Sequence, residues 1–260
     1  MGGLHAQGQP VPLTGAPGAR RLRQTTLGRS VLPPTMPHPV PLPAGERIAY
    51  TDPMSDESRD ALLSGYRRFR EGHWPEARAQ YEALAADGQK PHTLVVACSD
   101  SRADPALIFD AAPGQLFVVR NVANLVPPYQ PDGHLHGVSA ALEFGVKVLN
   151  VSRIMVMGHA HCGGVNAMLH GAPANCQDFV APWVSQGSAA VRRVCEECPP
   201  EELMQKAEEA VVRLSLDNLR TFPWIAEREA AGTLALSGVH FGIADGVLRS
   251  LCDGAFVALA

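Results

Sequence analysis

The stretch Val151-Ser-Arg-Ile-Met-Val-Met-Gly-His-Ala-His-Cys-Gly-Gly-Val165 constrains this chain more than any other. It opens as a short apolar strand, stops at Gly158, delivers His159 and Cys162, and then starts a helix at Gly163 and Gly164. A second stretch, Thr93-Leu-Val-Val-Ala-Cys-Ser-Asp-Ser-Arg102, has the same build: an apolar strand that ends on a cysteine, here followed by two charges. Two strands that release soft ligands at their carboxyl ends point to a metal site at the carboxyl edge of an α/β sheet, where ligands of that architecture collect.

The rest of the pattern agrees with an α/β fold: a central, mostly parallel β-sheet flanked by helices, with an N-terminal helical arm. Apolar runs at 93–97, 116–120 and 153–157 alternate with helical segments at 104–109, 138–149 and from Val165 onward. Such alternation indicates a buried parallel sheet. Residues 201–220 read as a long amphipathic helix, and 233–240 with 246–251 as a closing hairpin around Ala244-Asp245-Gly246. In the arm, Leu62, Leu63, Tyr66 and Phe69 form one stripe, and Trp74, Ala77, Tyr81 and Leu84 another. Gly72 and Pro75 are expected to divide the arm into two helices, each packed on something through its stripe.

Residues 1–45 hold no Asp or Glu, carry Arg20, Arg21, Arg23 and Arg29, and are crowded with Pro and Gly. They are expected to be a disordered extension. An Arg-rich, acid-free start mildly resembles a transit peptide, but the prolines oppose an amphipathic helix and no secretory h-region is present. The expected organisation is the extension at 1–45, the helical arm at 46–90 and an α/β domain carrying the metal site at 91–260. A net charge of −4 offers no nucleic-acid footprint. No apolar run approaches the roughly 18 residues that span a bilayer. A cytoplasmic protein is expected, in which six cysteines serve as ligands or buried thiols rather than disulfides.

Cys98, His159 and Cys162 make a Cys2His set with the spacing C-x60-H-x2-C. Thiolates and an imidazole suit zinc, and three protein ligands leave the fourth tetrahedral position open, as in catalytic sites. His161, adjacent to Cys162, should point elsewhere. Taken alone, H-x-x-C reads equally well as a buried thiol beside a core histidine. Cys195-Glu-Glu-Cys198 has no second pair of ligands in reach by sequence, and a structural zinc needs four. Cys176 and Cys252 are expected to bind nothing.

The context of these ligands is far more specific. Cys98-Ser-Asp-Ser-Arg102 together with Gly158-His-x-x-Cys-Gly-Gly164 closely resembles the β-class carbonic anhydrases. The likeness continues through Phe117-Val-Val-Arg-Asn-Val-Ala-Asn-Leu-Val126 and the helix containing Ala140, Ala141, Leu142, Glu143 and Phe144. It is dense from about residue 89 to 164 and thinner beyond. The resemblance implies zinc on Cys98, His159 and Cys162, and reversible hydration of carbon dioxide to bicarbonate and a proton by metal-bound hydroxide. It implies Asp100 and Arg102 as a catalytic dyad, with Gln89, Phe117 and Phe144 on the substrate side; the backbone N–H of Gly163 is a further candidate donor there. Where this chain has Phe144 the family often has tyrosine, so one hydroxyl is lost and the apolar ring kept. The family's arm packs on a partner subunit in a homodimer or higher oligomer, with Gln89 and Phe144 where the chains meet.

Within the family the sequence is similar to the open-site, plant-like subtype. The other subtype lines a non-catalytic bicarbonate pocket with a tryptophan at the position of Val95, and lets the aspartate swing onto zinc. Arg120 matches an arginine of that pocket, but one arginine alone is a weak anion site. Two rivals remain at this stage: a same-fold hydrolase of a sulfur analogue such as carbonyl sulfide, and a catalytically silent zinc-binding assembly module.

Overall fold

A computed structural model describes residues 56–259. The extension expected over 1–45 and the first residues of the arm lie outside the described residues. Among the described residues no helix is long and apolar enough to cross a membrane.

The arm is helical, but the expected break is absent. Asp56–Arg68 (α1) and Trp74–Asp87 (α2) are joined by a π-helical turn, Phe69–His73. Pro75 has no N–H to offer the carbonyl four residues back. The helix absorbs this by taking up one extra residue, so that the Trp74 N–H reaches the Phe69 carbonyl. Pro75 then falls in the first turn of α2, where no donor is missed. In the α1 stripe, Leu62 is 71% and Tyr66 59% exposed, so the described chain does not cover it. The α2 half meets the body through Gln80, whose Nε2 donates to the Pro113 carbonyl at 2.7 Å.

Six strands form one sheet: β1 Thr93–Cys98, β2 Leu116–Asn121, β3 Arg153–His159, β4 Ala235–Phe241, β5 Leu248–Cys252 and β6 Ala255–Ala258. Their order is β2-β1-β3-β4-β5-β6; the first four in that order run parallel, and β5 and β6 are added antiparallel. The closing hairpin is therefore present, but its first strand belongs to the parallel sheet. A third strand, β6, follows a turn through Asp253 (φ 48°) and Gly254 (φ 83°). Asp-Gly is a two-residue hairpin signal, with both residues at positive φ. The helices are α3 Pro105–Ile108, α4 Gly137–Glu143 with a π-turn at Phe144–Val148, α5 Gly163–His170, α6 Val180–Ser185, α7 Ser188–Glu197, α8 Leu203–Leu219 and α9 Pro223–Ala230. Of these, α6, α7 and α9 were not expected.

Alternation along β1 and β3 sends side chains to both faces of the sheet. Leu94, Val96, Ile154 and Val156 join Val212, Leu216 and Leu219 of α8 in the larger core cluster. Val95, Ala97 and Met157 face the other way, with Ala103 and Val239. Each fully buried Val or Leu of this kind contributes about 1.5–3 kcal/mol. From β1 the chain crosses to one side to make β2 and returns on the other to make β3. That reversal is the topological switch point, and the carboxyl ends of β1 and β3 flank it, where ligands bind in open α/β sheets.

Gly158 lets α8 lie close against β3. A Cβ there would stand 2.7 Å from Val212 Cγ2. We expect Gly158→Ala to cost about 1–3 kcal/mol through overpacking, read as a lowered chemical-denaturation midpoint. An unchanged midpoint would mean that α8 can withdraw from β3 freely.

Candidate metal centre

Each ligand of the Cys2His set comes from a chain end that the sheet positions. Cys98 is the last residue of β1, His159 the last of β3, and Cys162 the N-cap of α5. All three are buried, and their ligand atoms lie within 4.8 Å of one another. They form the one such group of His, Cys, Asp or Glu among the described residues. Gly164 explains the second glycine of the motif. A Cβ there would stand 2.7 Å from Val122 Cγ1 and 2.9 Å from Ala123 Cβ, so α5 could not seat against the turn that follows β2.

The donor set fits zinc. His159 Nδ1 is bonded to the Ala160 carbonyl at 2.9 Å, which places its proton there and leaves Nε2 with a lone pair. His159 Nε2 is buried and has no hydrogen-bond partner. A buried imidazole nitrogen left unpaired is costly, and a metal ion removes that cost. The Cys98 and Cys162 sulfurs are 3.9 Å apart. A proton shared between the two sulfurs draws the Cys98 pKa down, against the effect of burial. Cys162 is pushed up in turn, by sharing its proton with Cys98 and by burial. The pair titrates as one unit: its first proton leaves easily and its second only when a cation compensates the charge. Zinc provides that charge. The Gly164 and Val165 N–H groups, in the first turn of α5, face the Cys162 sulfur and favour its thiolate.

Asp100 and Arg102 form a fork beside this set. Arg102 donates Nε to Asp100 Oδ1 at 3.0 Å and Nη2 to Oδ2 at 2.7 Å, and the Arg102 backbone N–H reaches Oδ1 at 2.9 Å. These bonds, opposed in part by desolvation, hold the Asp100 carboxyl well below the usual carboxylate range. Arg102 Nη2 also donates to the His161 carbonyl at 3.2 Å, which ties the dyad to the ligand turn. Asp100 Oδ2 is 3.9 Å from His159 Nε2, next to the metal ligands without being bonded to them.

Arg120 braces the loop beneath the dyad. It donates to the Cys98 carbonyl (2.9 Å), the Asp100 carbonyl (2.6 Å) and Asp104 Oδ2 (2.6 Å). Asp104 in turn caps α3 by accepting the Ala106 N–H. His161 is exposed, as expected, and adopts φ +55°.

The substrate-side residues are placed differently. Phe117 and Phe144 stack at 5.9 Å between ring centroids. Phe117 pairs in register with Leu94, whereas Asn121 pairs with Cys98. Phe117 is thus four strand positions from the ligand end, about 13 Å at the usual strand rise. Gln89 precedes β1 and is exposed, again near the amino end of that strand. One chain does not bring these three to its own metal ligands. The Gly163 N–H, by contrast, is the first of α5 and lies beside Cys162, and the space where a Cβ would project is open.

Sequence reasoning missed Glu208 and His240. Glu208 accepts the Cys162 N–H at 3.0 Å and is bonded to His240 at 2.9 Å. The available signal was a glutamate in the apolar stripe of the long helix, in line with Val211, Val212 and Ser215.

Cys98→Ser should bind zinc far more weakly, because the ligand must be a thiolate. Metal analysis of the purified variant checks this, and full zinc occupancy would overturn the assignment of Cys98.

Comparison with known proteins agrees with this chemistry. A family profile described as carbonic anhydrase matches residues 93–248. Beta carbonic anhydrase 3 of Arabidopsis thaliana is 34% identical over 194 residues, which span 72% of this chain and 74% of that protein. The structure of the β-carbonic anhydrase CcaA superposes with a TM-score of 0.73 at 33% identity, covering 78% of this chain and 100% of the other. A tetrameric β-carbonic anhydrase of the ascomycete Sordaria macrospora gives 0.65 at 26% identity, covering 78% and 100%. With its Cys98, His159 and Cys162 gathered as a zinc-binding set, this chain belongs to the β-carbonic anhydrase family.

Proposed function

We propose that the chain catalyses zinc-dependent reversible hydration of carbon dioxide, with Asp100 and Arg102 as the dyad that orients the nucleophile. The observation that carries this reading is the unpartnered Nε2 of His159, buried between two cysteine sulfurs and the Asp100 carboxylate. Zinc on this set supplies a Lewis acid that makes a water molecule nucleophilic near neutral pH. Held ionised by Arg102, Asp100 can only accept a hydrogen bond. A nucleophile O–H that donates to it keeps an oxygen lone pair free for the carbon of the substrate. Arg102 is itself fixed at the His161 carbonyl, so it holds the carboxylate at a set angle to the ligand turn. The Gly163 N–H stands free at the start of α5 to receive developing charge on a substrate oxygen.

The substrate wall is proposed to be shared between two copies of the chain. Gln89, Phe117 and Phe144 lie at the amino ends of β1 and β2, and Phe144 is 45% exposed. A partner that brings these residues to the opposite triad would complete both sites. The uncovered α1 stripe supports a homodimer or a higher oligomer, in keeping with the tetrameric relative.

The open-site subtype is proposed for the same chain. Val95 is fully buried in an apolar cluster with Ala97, Ala103, Met157 and Val239, where an anion has no donor. Each nitrogen of the Arg120 guanidinium already donates within the loop, to the Cys98 carbonyl, the Asp100 carbonyl and Asp104 Oδ2. No anion-binding switch is then available to break the dyad, since a shift between states needs a ligand that prefers one of them.

A stopped-flow hydration assay with metal content measured tests the activity. Asp100→Asn should keep zinc and lose about 100-fold or more in kcat/KM. A wild-type rate in that variant would move Asp100 from catalysis to scaffolding. For the subtype, activity against pH should follow a single-proton curve with or without added bicarbonate. A steep, cooperative loss below about pH 8 would refute the open-site reading.

A further inference from the structure

The inward face of α8 is apolar at Ala207, Val211, Val212, Leu216 and Leu219, yet Glu208 lies among them and is 2% exposed. A buried carboxylate is costly unless its oxygens are partnered. Both are partnered here. Oε1 accepts the Cys162 N–H at 3.0 Å, and Oε2 is bonded at 2.9 Å to Nε2 of His240, itself 2% exposed. An apolar side chain at this position would join Ala207, Val211 and Cys162 in their cluster without that cost. What distinguishes glutamate is its grip on the backbone of the third zinc ligand.

The turn it grips needs to be held. Cys162 follows His161, a non-glycine residue at φ +55°, a conformation that persists only where its surroundings over-determine it. Three bonds do so from three directions. The Ala160 N–H donates to the Phe241 carbonyl at 2.9 Å, the His161 carbonyl accepts from Arg102, and the Cys162 N–H donates to Glu208. His240 pairs in register with Gly158, the residue just before the His159 ligand. The Glu208–His240 pair thus couples α8 and β4, neither of which carries a ligand, to the turn between two ligands.

We propose that Glu208, held by His240, is a positioning residue for Cys162 and sets how tightly the centre retains zinc. The proposal rests on the Cys2His set being the zinc centre. It assigns Glu208 no contact with substrate.

The test uses full-length wild type, Glu208→Ala, Glu208→Gln and His240→Phe, each loaded with zinc and separately with cobalt(II). Zinc affinity is measured by chelator competition, and ligand geometry by the thiolate-to-cobalt charge-transfer and d–d bands. Glu208→Ala should lower zinc affinity about 10–100-fold and shift the cobalt bands. Glu208→Gln keeps an oxygen that accepts the Cys162 N–H and should stay close to wild type on both readouts. His240→Phe leaves Oε2 unpartnered and should fall between them. Wild-type affinity and spectra in Glu208→Ala overturn the proposal. If that variant does not fold, His240→Phe with wild-type affinity, or Glu208→Gln as weak as His240→Phe, overturns it instead. Wild-type protein that binds no zinc overturns the centre itself, which separates failure of the metal assignment from failure of the positioning role.

Discussion

Two cysteine sulfurs 3.9 Å apart, nearly closed off from water and facing an unpartnered imidazole nitrogen, are the constraint on which the site depends. Protein groups alone do not satisfy it. One proton shared between the sulfurs leaves the second thiol hard to ionise, and the nitrogen keeps a lone pair with nothing to receive it. A divalent cation resolves both at once. The fold arranges this without unusual elements. Two neighbouring parallel strands end at the switch point of the sheet, each on a ligand, and a helix start supplies the third.

Around that centre, arginines do the aligning. Arg102 faces outward, forks onto Asp100 and also reaches the His161 carbonyl. Arg120 sits under the same loop and takes the carbonyls of Cys98 and Asp100 together with the Asp104 carboxylate. A planar guanidinium with five donors can hold several oxygens at fixed angles, which a lysine ammonium cannot. The result is an aspartate held at its carboxylate by Arg102 and at its backbone carbonyl by Arg120. On the α8 side of the centre a buried carboxylate, Glu208, takes the backbone of Cys162.

Much of the site was legible because its chemistry is local. C-S-D-S-R carries a ligand and the dyad within five residues, and H-x-x-C-G-G carries two ligands and the start of a helix. The two central strands, β1 and β3, were equally clear, since a strand buried on both faces reads as a continuous apolar run. The arm is helical as expected but not divided at Gly72 and Pro75, because a π-turn that absorbs a proline leaves no mark in apolar spacing. β6 went unread although Asp253-Gly254 announced its turn, and α6, with six residues, is too short to stand out.

By itself the sequence determined the class of fold, the three zinc ligands and the dyad, because each depends on residues that are neighbours in the chain or on strand ends that any parallel sheet would align. Only the tertiary structure decided which long-range partners complete them. Glu208 meets Cys162 because α8 crosses β3 with a particular face turned inward, a register fixed by Val212 against Gly158 rather than by any local motif. Phe117 and Phe144 find each other at the amino half of the sheet and not at their own metal ligands, because a strand places residues four positions apart at opposite ends of its length. Distances of that kind come from packing, and no pattern along the chain encodes them singly.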